Sequence, residues 1–216
     1  MSLALMVLLA VPEQALLQKL GERALQLEHF NKASKVTVDI VAEELDSDGK
    51  VTKTTHTALR VARDGAKSER KLLTFVENGK DLTAAKRAEL ESAPKKETQV
   101  RSPFHPDERA KYQFTVLAAD QPASMRIGFE PSGEKTSELY VGEATVDPQT
   151  GDVLAVTLRP SKNPPFVQSL SIESKLDAVT PAGRATSSLT LSGVGGFLFI
   201  KQRFRVLTTF KDYEPL

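Results

Sequence analysis

Beyond Asn31 the apolar residues of this chain stop recurring at helical spacing and begin to alternate, and the alternation persists almost to the C-terminus. Val36, Val38 and Ile40 alternate with Thr37 and Asp39, and Asp46-Ser-Asp-Gly49 supplies turn chemistry before a second extended run, Val51 to Arg63. Asp64-Gly65 turns the chain into Lys71 to Val76, which Asn78-Gly79 closes. Further strand signals follow at Tyr112 to Val116, Met125 to Phe129, Glu138 to Val146, Val153 to Leu158, Val167 to Leu176, Ala185 to Leu191 and Phe197 to Phe210, separated by turns such as Asp147-Pro-Gln-Thr-Gly151 and Pro181-Ala-Gly183. No strand–helix–strand alternation occurs, which disfavours a doubly wound parallel sheet.

Two segments interrupt this pattern. Pro12 suits the first position of a helix, and Leu16, Leu17, Leu20, Ala24, Leu25, Leu27 and Phe30 recur at helical spacing up to about Asn31. The second, Asp81 to Ala93, is a short helix with weak apolar positions that ends at Pro94. The polar, basic stretch from Pro94 to Glu108 reads as a surface loop. The expected fold is therefore α+β and mainly antiparallel β. It is a strongly curved incomplete β-barrel of about ten strands, wrapped over an N-terminal helix and carrying a short helical insertion.

Charge and cysteine content narrow the function classes. Lys and Arg number 29 against 28 Asp and Glu, a formal charge of +1, so no global field favours nucleic acid. The chain has no cysteine, which removes disulfides, thiolate metal sites and thiol catalysis. Leu3 to Val11 is an apolar run of about nine residues, the length of an export-signal core and far short of a bilayer span. Residues 1–15 are read as a truncated export signal ahead of a single domain, 16–216. An apolar N-terminal helix is the other reading.

The recurring catalytic constellations are missing. His29, His56 and His105 do not stand at metal-ligand spacing, Gly-x-Ser-x-Gly is absent, and the acidic pairs Glu43-Glu44 and Asp107-Glu108 are adjacent, so in a strand they point to opposite faces. No enzyme activity, metal or cofactor is expected. The glycines of Gly193-Val-Gly-Gly-Phe-Leu-Phe-Ile200 precede β-forming residues rather than a helix, so they read as a tight turn feeding a long last strand, not as a phosphate loop.

Candidate binding residues come from strand alternation. Met125, Ile127 and Phe129, then Leu139 and Val141, then Phe204, Val206 and Phe210 alternate with polar neighbours, so each set lines one face of its strand. A filled core and an unfilled ligand cavity demand the same pattern, and both readings remain open at this level.

The order of elements resembles the periplasmic lipoprotein-carrier superfamily, the LolA/LolB-like fold, from about Leu16 to Tyr213. The local matches are Leu59-Arg-Val-Ala-Arg63, the Pro103-Phe-His-Pro106 loop, Tyr112-Gln-Phe114, Phe129-Glu-Pro131, Val146-Asp-Pro-Gln-Thr-Gly-Asp152, and the closing strand Phe204 to Tyr213. The resemblance implies a half-barrel enclosing an apolar cavity for acyl chains, with Arg63 in the place of an arginine that gates the lid. It implies an exported, periplasmic, monomeric carrier near the outer membrane that binds a lipid or an acylated protein. Its membrane contact would be peripheral rather than integral. An envelope scaffold or sensor binding a protein partner through the same curved sheet is the alternative.

Overall fold

The computed structural model describes residues 13–65, 67–92, 101–117, 123–197 and 200–216. The run Leu3 to Val11, and the export-signal reading with it, lies outside them. Helix α1 spans Gln14–Lys32 and is followed by strands β1 (Ala33–Leu45), β2 (Val51–Asp64), β3 (Lys67–Glu77) and the short β4 (Lys80–Asp81). Helices α2 (Thr83–Ser92) and α3 (Pro106–Arg109) precede β5 (Tyr112–Leu117), β6 (Met125–Pro131), β7 (Tyr140–Val146), β8 (Val153–Pro160) and β9 (Val167–Lys175). A hairpin of β10 (Ala178–Thr180) and β11 (Gly183–Ala185) comes before β12 (Ser188–Phe197) and β13 (Ile200–Pro215).

All strands except the β10–β11 hairpin join one 11-stranded sheet in the order β4-β3-β2-β1-β13-β12-β9-β8-β7-β6-β5. Every pairing is antiparallel, and the sheet is strongly curved but not closed. The turns follow from local chemistry. Asn78 and Gly79 take φ of 48° and 79°, as a two-residue hairpin requires. Asp46 Oδ1 accepts the N–H groups of Asp48 and Lys50, and Asp147 Oδ1 those of Gln149 and Thr150. Helix α2 covers the edge of β3, where Thr83 Oγ1 accepts the Phe75 N–H at 2.8 Å and a Glu91 carboxylate oxygen accepts that of Leu72 at 2.9 Å. Those side chains satisfy donors that would otherwise offer a template for another strand.

Three expectations change. The glycine cluster is not a turn: Gly193, Gly195 and Gly196 lie within β12, which pairs with β13 out to Phe197 and Ile200. Gly193 is required by close approach, since a Cβ there would come within 2.6 Å of the Ser169 carbonyl and 2.9 Å of the Phe204 ring. The run Ala185 to Leu191 divides between β11 and β12. Within the expected surface loop, Phe104 is 1% exposed. Its ring stacks on Phe114 at 5.3 Å and meets Phe129 edge-on at 6.1 Å, in one core with Leu16, Leu20, Tyr112, Ile127, Ala144 and Val146.

The loop thus drives a wedge between α1 and strands β5 to β7. Replacing Phe104 with Ala should lower the unfolding free energy by roughly 3–5 kcal/mol in chemical denaturation, the usual loss for a buried Phe. A change typical of surface positions, within about 0.5 kcal/mol, would contradict the wedge.

Candidate functional site

Register makes the inner face of the sheet, the one beneath α1, continuous from one edge region to the other. One row runs Val116, Ile127, Ala144, Val156, Ser174, Leu189, Thr208, Ile40, Thr57 and Phe75 through direct cross-strand partners. The next runs Phe114, Phe129, Gly142, Leu158, Ile172, Leu191, Val206, Ala42 and Thr55. Both rows are predominantly apolar. Their burial falls along the way, from 0% exposure at Ile127 to half-buried residues at Leu189, Val206 and Ile40.

The face therefore has three zones. Under the first turns of α1 it is filled by Phe104, Leu16 and Leu20. Under the second half of α1 it is hollow, enclosing about 340 Å³. Leu20, Ala24 and Leu27 of α1 roof this hollow, and Tyr140, Val153, Val156, Leu158, Ile172, Leu176 and Leu189 floor it. Across β13, β1 and β2 the face continues as an open trough with half-buried Val38, Ile40, Leu59, Phe204, Val206 and Phe210. A second groove of about 550 Å³ on the other side of α1, against Pro181 and Ala182, is more open to solvent.

One end of the hollow is polar. Glu28, 9% exposed, lies 2.6 Å from Lys32 Nζ, 2.9 Å from His105 Nε2 and 3.5 Å from Arg101 Nη2. His105 caps α3: its Nδ1 accepts the Asp107 N–H at 3.2 Å, which leaves the ring proton on Nε2, facing Glu28. Asn31 and Ser102 complete this wall. The Lys32 hydrogen bond holds the Glu28 carboxyl below its ordinary value against the opposing effect of burial, and the charges of Arg101 and Lys32 add to the lowering. Arg23 supplies a second staple, its Nε 2.9 Å from Asp152 Oδ1 and its guanidinium donating to Ala182 O and Thr150 O. Gly183, at φ 105°, admits this guanidinium, because a Cβ there would lie 2.8 Å from Arg23 Cδ. Beyond the hollow Tyr213 donates to Thr186 O at 2.8 Å beside Phe30, and burial pushes its phenol up to about 12.

The residues expected from sequence divide among the zones. Ile127 and Phe129 belong to the filled core, and Met125 and Leu139 pack against it. Phe204, Val206 and Phe210 line the trough rather than the hollow. Val141 pairs with Arg159 and takes the outer face with it, because the inward set of β7 is Tyr140, Gly142, Ala144 and Val146. Arg63 sits opposite Ser34 and Ser68 on the inner face, near enough to Tyr213 for its charge to act on the phenol. Sequence reasoning missed the residues of β8 and β9 that floor the hollow, and missed the Glu28–His105 pair. His29 is exposed in the last turn of α1, and His56 Nε2 meets Asp39 Oδ1 at 2.9 Å.

No family model matches the chain, and no curated protein matches it. Solved structures do. A DUF1329 family protein from Desulfovibrio piger ATCC 29098 is similar with a TM-score of 0.42 and 10% identity, over 95% of this chain and 94% of that one. MucB in complex with MucA(peri) is similar with a TM-score of 0.27 and 11% identity, over 94% and 99%. The Pseudomonas aeruginosa MucA/MucB complex gives 0.28 and 12%, over 93% and 99%. Among the described residues no helix is long and apolar enough to cross a membrane.

The Glu28 environment sets a pH dependence. Its folded value lies below its unfolded one, so its contribution to stability is complete above about pH 4.5 and disappears as pH falls through the folded value. The stability difference between wild type and Glu28→Gln should therefore be constant near neutrality and shrink below about pH 4.5, read as melting temperature against pH. Parallel curves would contradict the assignment.

Proposed function

We propose that the protein is a non-enzymatic cell-envelope carrier that holds an acyl chain of a lipid or acylated protein in the hollow beneath α1. The observation supporting this reading is that hollow, about 340 Å³ of mostly apolar wall left unfilled between a helix and a sheet. Its size lies at the lower end of ligand cavities, roughly 300–1,000 Å³, which suits one chain rather than several. Each methylene moved out of water contributes about 0.8 kcal/mol, so burial alone supports reversible carriage. The polar wall of Glu28, Asn31, Arg101 and His105 gives the head of the ligand hydrogen-bonding partners at one end.

In this reading the trough of Phe204, Val206 and Phe210 takes the part of the ligand that the hollow does not enclose. Arg63, inward-facing at the same side of the sheet, gates that open end. The periplasm is the compartment proposed, and the working form is a monomer with peripheral membrane contact.

Native mass spectrometry of protein released gently from its own envelope tests this directly: a lipid adduct is expected, and an adduct-free chain with a stoichiometric protein partner would favour a scaffold instead. A filled cavity offers a second test. Ala24 faces the hollow, so Ala24→Phe should weaken binding of a fluorescent fatty acid at least tenfold, with the melting temperature unchanged or raised, since the new ring occupies existing space. Unaltered binding would place the chain elsewhere.

A further inference from the structure

The polar end of the hollow is unevenly supplied with donors and acceptors. His105 is 3% exposed and borders the space. Its Nδ1 is committed to the Asp107 N–H, so Nε2 carries the ring proton. Glu28 Oε2 lies 2.9 Å from Nε2 but not in hydrogen-bonding geometry, and among the described residues this buried proton has no acceptor. A buried donor without an acceptor is destabilising, so its place beside an unfilled space makes that space the entry for an acceptor from outside the chain.

The other groups at this end lean the same way. Arg101 is loosely held, for its Nη1 reaches Asp107 Oδ2 at 3.1 Å and its Nη2 reaches Glu28 Oε1 only at 3.5 Å. The Asn31 amide borders the hollow, and so does Ser102, whose Oγ accepts the Phe104 N–H and keeps its own proton to donate. Glu28 is the only carboxylate among the described residues that line the space, and its Oε1 is taken by Lys32 Nζ at 2.6 Å. The charges balance unevenly too. Lys32 matches Glu28 and Asp152 matches Arg23, which leaves Arg101 in surplus, because its partner Asp107 is 64% exposed and stands in screening solvent.

We propose that this end of the hollow is an anion subsite for the head of a single-chain lipid acid, whose carboxylate or phosphate oxygens accept from His105 Nε2 and replace Asp107 on the Arg101 guanidinium. The inference rests on the reading of the hollow as an acyl-chain site and adds to it the charge of the head. The guanidinium fork suits either oxyanion, and the Asp107 it releases returns to water at little cost. An ester- or amide-linked chain brings only neutral carbonyl acceptors and gives up the charge-assisted part of the bonding. A cationic head would have to displace Lys32 from Glu28.

Isothermal titration calorimetry with ligands of equal chain length and different heads tests the proposal: laurate, dodecyl phosphate, dodecanol and dodecyltrimethylammonium, each below its micelle concentration. Wild type should bind laurate or dodecyl phosphate at least about tenfold tighter than dodecanol, and the tighter anion identifies the head as carboxylate or phosphate. Arg101→Gln changes a partly exposed side chain, so it should fold as wild type does by circular dichroism while its preference for the anion shrinks to less than about threefold. Dodecanol bound as tightly as either anion, dodecyltrimethylammonium bound tightest, or a full anion preference in Arg101→Gln would overturn the subsite and leave the acyl-chain reading standing. Failure of every one of these ligands to bind would remove that reading and the subsite with it.

Discussion

The structure is governed by a mismatch of areas. This wide antiparallel sheet has a predominantly apolar inner face and, among the described residues, one long helix to cover it. At about 4.8 Å per strand, eleven strands span roughly 50 Å, whereas a helix of the length of α1 reaches about 28 Å. Curvature draws the sheet around the helix without closing the deficit. What α1 and Phe104 reach is core, what α1 merely roofs is a hollow, and what neither reaches is a trough.

The polar contacts decide where α1 stands over that face. Arg23 ties it to the β7–β8 turn and the β10–β11 hairpin, and Glu28 ties it to the loop carrying His105. Both staples lie along the hollow, so the roof is held at its edges by directional bonds while its apolar underside stays unpacked. A core that packed to ordinary density would gain dispersion energy by closing this gap. The partly exposed Arg23–Asp152 ion pair and the buried Glu28–His105 contact fix the height of the helix beside this gap.

The fold was legible in the sequence because the shift from helical to alternating spacing after Asn31 is strong, and turn residues mark nearly every strand end. The inward residues of β6 and β13 were legible for the same reason. In β7 the reading slipped at Val141, which takes the outer face, whereas Leu139, just ahead of the strand, packs against the core; the inward residues of the strand are Tyr140, Gly142, Ala144 and Val146, two of them too small to signal burial. Phe104 was hidden in a polar, proline-bounded stretch whose average character outweighed its single aromatic ring. The hollow itself had no sequence signal, because Val156 or Leu189 would be apolar whether a helix packed on it or a ligand did.

Methyl chemical-shift mapping during titration with laurate tests the central claim, that the inner face is filled, hollow and open in turn. Shifts are expected at the Val156, Ile172, Leu176 and Leu189 methyls of the hollow, falling off through Val206, with Ile127 and Val146 in the filled zone unmoved. Saturation with no shift at the hollow, or the largest shifts at Ile127 and Val146, would contradict it.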